Sequence, residues 1–250
     1  MIVDCHTHWA PRYHAQAGSD PAQWFAVLQK HAVTHAVVLP MVGLCDDTVL
    51  VEDNDDVAAA CSASAGRMIP FATVNPWSGE AAVAEFRRCL ETLHVRGLKF
   101  HPWLQGISPN TEEMDRLSDM AGASGVPVLF HDGTPPFSLP SQIALLARRH
   151  PHTRFVLGHC GLLEHWREAI AAMHYAENLW GCLCSPHLAG LSEIVRRSDR
   201  DRLVWGSDHG FSLADAVGYR KGLLELTGLA DADREAIFSR NPARLLGLDG

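Results

Sequence analysis

Two histidines separated by one residue, His6 and His8, follow the short apolar run Ile2-Val3-Asp4-Cys5 near the start of the chain. Alternate side chains of a β-strand point to one face, roughly 6.5 to 7 Å apart, so both imidazoles can reach one ion. Imidazole suits zinc and its first-row neighbours. With 15 histidines in 250 residues, the pair gains weight only if partners exist. Candidate partners stand at the ends of later apolar runs: Lys99 and His101, His131-Asp132, His159, and Asp208-His209. His6, His8, His131 and Asp208 together offer three imidazoles and one carboxylate, a set that holds a divalent cation with room for water. Zinc is the first choice, and manganese, cobalt or iron accept the same mixture. An ion bound this way lowers the pKa of its water towards about 7, and a neighbouring base must then take the proton. His159 is the first candidate for that base, or for a fifth ligand, and Asp208 is the second.

These residues converge only if the elements carrying them do. Eight apolar or β-branched runs read as strands: 2–6, 34–40, 68–74, 95–100, 126–131, 154–159, 179–184 and 202–207. Between and after them, amphipathic stretches read as helices over 21–30, 52–65, 79–93, 111–124, 140–149, 162–176, 191–198 and 213–226. Strands alternating with helices imply parallel pairing through crossovers. Runs apolar on both faces, such as Val37-Val38-Leu39, suit a sheet covered by helices. The expected fold is α/β, a (β/α)₈ TIM barrel in one domain over residues 1–250, with an additional C-terminal helix over 232–246 that Asn241-Pro242 interrupts. In such a barrel, functional residues sit at the C-terminal ends of the strands. That is where the residues above fall. His14, His31, His150, His152, His165 and His174 lie in helices or loops, and His35 and His94 begin strands, so these read as solvated or packed. The run Asp53-Asn54-Asp55-Asp56 reads as the acidic first turn of the second helix, favoured by the helix dipole.

Composition narrows the function. A net charge of −8 without a basic cluster argues against nucleic-acid and anionic-membrane surfaces. Small-molecule chemistry is the better expectation. No apolar run approaches the roughly 20 residues of a membrane span, and Asp4 and His6 stand where a signal peptide needs an apolar core, so a cytoplasmic protein is expected. Seven scattered cysteines form no disulfide framework. Cys182 and Cys184 alternate on one strand and share a face.

Taken in order, six stretches resemble the amidohydrolase superfamily, in its amidohydrolase-2 branch of metal-dependent hydrolases and decarboxylases. They are Val3-Asp4-Cys5-His6-Thr7-His8, Gly97-Leu98-Lys99-Phe100-His101-Pro102, Val126 to His131, Phe155 to Gly161 with the core Gly158-His159-Cys160, Leu203 to Asp208, and Asn241 to Leu246. The resemblance implies that His6, His8, His131 and Asp208 ligate one metal while His159 orients or deprotonates the attacking water. Other branches bridge two metals with a carbamylated lysine on the fourth strand, but this branch generally uses one. Lys99 or His101 is therefore read as a substrate contact, or Lys99 as the partner of a carboxylate.

Trp9, Trp77, Trp103 and Phe211 follow strand ends, so aromatic walls are expected around the metal. Trp9, Trp103 and His209 are expected to shape the substrate site. Cations are scarce there, with only Arg12 and Lys99 as candidates. A decarboxylase must hold a carboxylate beside the metal and usually a second anionic group, whereas a hydrolase of a neutral amide, ester or lactone need not. The chain also lacks the long insertions that the resemblance leads one to expect of decarboxylases. The sequence therefore favours a metal-dependent hydrolase of a small amide, ester or lactone. Non-oxidative decarboxylation of an aromatic or muconate-type acid is the alternative, and a non-catalytic metal-binding barrel the third reading. Pairing into a homodimer stays open.

Overall fold

The computed structural model describes residues 1–9, 20–211 and 215–248. Each of the eight apolar runs forms a strand: β1 (Val3–His8), β2 (His35–Leu39), β3 (Met68–Pro70), β4 (Leu98–Phe100), β5 (Val128–Phe130), β6 (Phe155–Leu157), β7 (Leu179–Cys182) and β8 (Leu203–Val204). All neighbouring pairs are parallel, in the orders β1-β2-β3 and β4-β5-β6-β7-β8. Backbone bonds close both seams. At the first, the Ala72 N–H donates to the Gly97 carbonyl (3.0 Å) and the Lys99 N–H to the Ala72 carbonyl (2.7 Å). At the second, the Cys5 N–H donates to Trp205 (2.9 Å) and the His8 N–H to His209 (2.7 Å). The fold is the (β/α)₈ barrel.

Helices α1 (Pro21–Lys30), α2 (Leu50–Ser62), α3 (Glu80–Glu91), α4 (Pro102–Gln105), α5 (Glu112–Ala123), α6 (Pro140–Arg149), α7 (Trp166–Tyr175), α8 (Leu188–Arg197) and α9 (Ala216–Glu225) surround it. Their starts follow local chemistry. The Asp20 carboxylate accepts the Ala22 N–H ahead of Pro21, and the Thr111 hydroxyl accepts the Met114 N–H ahead of the acidic turn Glu112-Glu113. The short α4 is additional: the His101 Nδ1 accepts the Leu104 N–H (3.3 Å), so the chain turns into a helix directly after β4.

Alternation divides the strand residues between two apolar layers. Ala36, Val38, Leu98, Phe100, Val128, Phe130, Phe155 and Leu157 pack outward against the helices. Val3, Cys5, Val37, Leu39, Ile69, Leu129, Val156, Cys182 and Val204 fill the barrel together with Leu245 and Leu246 from the C-terminal helix. That helix runs through α10 (Asp231–Glu235), a widened π turn (Ala236–Arg240) and α11 (Asn241–Leu246). Asn241-Pro242 does not interrupt it, because the wide turn ahead of Pro242 accommodates a ring that would collide with a regular helical carbonyl. Asn241 ties the helix to the bottom of β8 by donating to the carbonyls of Arg200 (2.7 Å) and Leu203 (2.8 Å).

The acidic run stands at the start of α2, with Glu52 and Asp53 in its first turn as expected. α2 begins at Leu50, so Asp53 turns inward and accepts the N–H groups of Met41 (3.0 Å) and Gly43 (2.8 Å), fixing the loop after β2. Among the described residues no helix is long and apolar enough to cross a membrane.

Candidate metal centre

The site begins with an irregularity in β1. Val3 and Asp4 pair with His35 and Ala36, but Thr7 and His8 pair with Val38 and Leu39, so Cys5 and His6 together face Val37. Such a bulge reverses which side later residues face. Val3 and Cys5 face the barrel interior before it, whereas His8 lies level with inward-facing Leu39 after it. Asp4 holds the bulge by accepting the N–H groups of His6 (3.2 Å) and Ser207 (3.0 Å), and so joins β1 to the end of β8. Burial pushes its carboxyl up to about 7, although these bonds oppose the rise.

His6 is fully buried, and its Nδ1 lies 3.0 Å from the Gly158 carbonyl. A carbonyl only accepts, so Nδ1 carries the hydrogen and Nε2 keeps its lone pair. Burial holds this imidazole well below its ordinary pKa, with Lys99 and His8 adding to the effect. The Asp208 Oδ1 lies 3.7 Å from the His6 Nε2 and 3.4 Å from the His8 Nε2. One ligand atom from each of these three residues falls within 4.8 Å of the other two. Asp208 reaches this position with φ at +63°, its N–H donating to the His6 carbonyl (2.8 Å). A non-glycine residue is uncommon in that region, and Asp is among those best tolerated there. Two buried imidazoles beside a carboxylate form a donor set that fits a divalent ion.

Around this triad stand the other histidines. The His159 N–H donates to Asp132 Oδ1 (2.7 Å), and the Gly161 N–H to Asp132 Oδ2 (2.5 Å). One buried carboxylate thus clamps the turn after β6, and burial pushes it up to about 7. The His159 ring bonds to the Ser185 hydroxyl through Nδ1 (2.8 Å) and lies 4.6 Å from the His6 ring. Burial holds it well below its ordinary pKa, reinforced by His131 and His6. The Cys184 thiol completes a second group, its sulfur and one nitrogen each of His6 and His159 lying within 4.8 Å of one another.

His131 stands beside the triad rather than in it. Its ring stacks on His101 at 3.7 Å and lies 4.5 Å from His159, while its Nε2 pairs with the Thr134 hydroxyl (2.8 Å). Burial lowers the His101 pKa to about 3 and also depresses that of His131. Lys99 is buried, its Nζ 3.5 Å from the His6 Nε2, and burial lowers it to about 8.

The structure sorts the expected substrate contacts. Trp103 is half exposed, with its ring 6.5 Å from His101, so it can border the opening. Trp9 is buried edge-to-face against Trp24 at 6.1 Å and lies in the core. His209 packs on Trp24 at 4.9 Å rather than among the histidines. Phe211 approaches His8 at 5.8 Å. Arg12 lies outside the described residues. Sequence reasoning missed Arg220, whose guanidinium crosses from α9 to donate to the Ser185 carbonyl (3.0 Å). A long side chain on a helix gives no sign in sequence of the strand end it reaches.

Among solved structures, the chain matches 2,6-dihydroxybenzoate decarboxylase from Rhizobium at 17% identity and a TM-score of 0.74, covering 100% of this chain and 99% of that one. A dihydroxybenzoic acid decarboxylase from Polaromonas, with bound manganese and the inhibitor 2-nitroresorcinol, matches at 15% and 0.73, covering 100% and 97%. The 4-oxalomesaconate hydratase from Rhodopseudomonas palustris matches at 15% and 0.72, covering 99% and 96%. At these identities the likeness establishes the fold. No curated protein matches the chain. The amidohydrolase profile, by contrast, matches residues 3–248, nearly the whole sequence, and the chain belongs to that family.

Proposed function

We propose that the protein is a metal-dependent hydrolase of a small amide, ester or lactone, with His6, His8, His131 and Asp208 holding one divalent ion, zinc before manganese. The approach of His6, His8 and Asp208 to within 4.8 Å is the observation that carries this reading. A bound divalent ion supplies a Lewis acid for the substrate carbonyl and acidifies water. His159 takes the proton that water loses. Its Nδ1 is engaged with Ser185, which leaves Nε2 for the transfer. Asp132 holds that ring through the backbone, and Asp208 is the alternative proton acceptor.

Lys99 and His101 contact the substrate beside the metal, and Trp103 borders the opening. The described cysteines are all free thiols, which suits a cytoplasmic enzyme. The test uses metal-loaded protein, a panel of amides, esters and lactones, and the Asp208→Asn variant. Turnover lost in a folded variant is expected, and retained full activity sinks the assignment.

A second reading, non-oxidative decarboxylation of an aromatic or muconate-type acid, draws support from Arg220. With Lys99 it offers a second cation near the centre, as a substrate carboxylate requires. In that reaction the bond from carbon to carboxylate breaks, CO₂ leaves, and His159 delivers a proton to the remaining carbon. CO₂ release from an aromatic acid selects this reading, and incorporation of solvent oxygen into product selects hydrolysis.

A further inference from the structure

The end of β7 brings a thiol to the metal centre. Cys184 is fully buried and belongs, with His6 and His159, to a donor group whose ligand atoms lie within 4.8 Å of one another. Cys5 and Cys182 are equally buried in the barrel interior, yet neither enters a donor group among the described residues. Cys184 shares that apolar interior and is the one of the three whose sulfur also lies within ligand spacing of two imidazoles among the described residues.

His6 belongs to both donor groups, and it has one nitrogen to give, because its Nδ1–H donates to Gly158. An ion held on the His6 Nε2 therefore stands next to both groups, with His8 and Asp208 as the donors of one and Cys184 as a donor of the other. We propose that Cys184 ligates this ion as a thiolate, making the centre a mixed nitrogen, oxygen and sulfur site. The inference rests on the reading that the His6 centre binds a divalent metal.

Ligation forms the metal–sulfur bond, breaks S–H and releases one proton per ion to solvent, with no change of oxidation state. Thiolate ligation favours zinc and cobalt over manganese, which prefers oxygen donors. Cys184 thereby sets metal choice at a centre whose remaining donors accept either class.

The experiment adds cobalt(II) alone to the full-length metal-free chain and records its absorption spectrum. Visible ligand-field bands report cobalt at the imidazole donors, and a near-ultraviolet sulfur-to-cobalt band reports the thiolate. Both are expected in the wild type. In Cys184→Ser the near-ultraviolet band disappears while the visible bands remain, and Cys182→Ser keeps both. The preference for zinc over manganese, measured by competition, drops about tenfold or more in Cys184→Ser, the size of loss common when a metal site's supporting groups are removed. Visible bands without the sulfur band in the wild type overturn this inference and leave the proposed function standing. A sulfur band that survives in Cys184→Ser also overturns it. Failure to bind cobalt at all overturns the metal-dependent reading and this inference with it. Circular dichroism of each variant separates loss of a ligand from loss of the fold.

Discussion

Replacing Asp132 by alanine tests how this barrel holds its chemistry in place. The side chain is fully buried and accepts two backbone N–H groups, those of His159 and Gly161. The variant leaves both donors without an acceptor in a part of the chain too tight to rearrange. Gly133 and Gly161 lie in such close backbone contact that a Cβ on Gly133 would fall 2.6 Å from the Gly161 carbonyl carbon. Each orphaned buried group costs about 1–3 kcal/mol, so the pair costs about 2–6 kcal/mol. At about 2–4 °C per kcal/mol for a chain of this size, Tm falls on the order of 10 °C. Asp132→Asn keeps one acceptor and is expected to lose roughly half as much. Burial pushes the carboxyl up to about 7 from its ordinary 3.8, so the folded state favours the protonated form. The advantage of wild type over the alanine variant is therefore full below the unfolded value and shrinks as pH rises to about 7. Urea unfolding of metal-free protein across that window measures both effects. Hydrogen exchange at the His159 and Gly161 amides should quicken in the variant. A stability change below about 0.5 kcal/mol with unchanged exchange, against the range expected for orphaned donors, would refute the clamp.

Gly158→Ala places a Cβ 2.5 Å from the Phe130 carbonyl oxygen and 3.0 Å from the His6 Cε1. Overpacking of this kind costs about 1–3 kcal/mol and displaces His6, so metal per chain measured by elemental analysis should fall below that of wild type. Glu85 accepts bonds from Arg88 and Asn54; burial pushes its carboxyl up, but these bonds outweigh it and hold the group below its ordinary 4.5. Its contribution is present above that value and lost as pH falls through the lower folded value, so the stability gap between wild type and Glu85→Gln should close in acid unfolding titrations. Asn241→Ala removes the donor to the Arg200 and Leu203 carbonyls at the bottom of the barrel. A loss of about 1–3 kcal/mol in urea unfolding is expected, with metal content unchanged because the centre lies at the opposite end.

The eight strands and the order of the chemical groups were legible in the sequence because a buried parallel strand must be apolar on both faces. The polar residues that end such runs therefore stand out, and His6, His8, His159 and Asp208 could be placed at one mouth before any coordinates. Their final aim was not legible. The bulge that turns His6 and His8 inward exists only because β2 pairs with β1 in a shifted register, a relation between residues some thirty positions apart. The left-handed backbone at Asp208 brings its carboxylate to the two histidines, while the next residue, His209, packs on Trp24. Local sequence carries neither constraint. Cys184 and Arg220 could not be assigned because their roles depend on which neighbours the closed barrel supplies. The sequence by itself determined the architecture and the inventory of donors, since hydrophobic periodicity and residue chemistry are local properties. Tertiary structure alone decided which donor atoms meet, because strand register, seam closure and side-chain reach arise only when distant segments pack together.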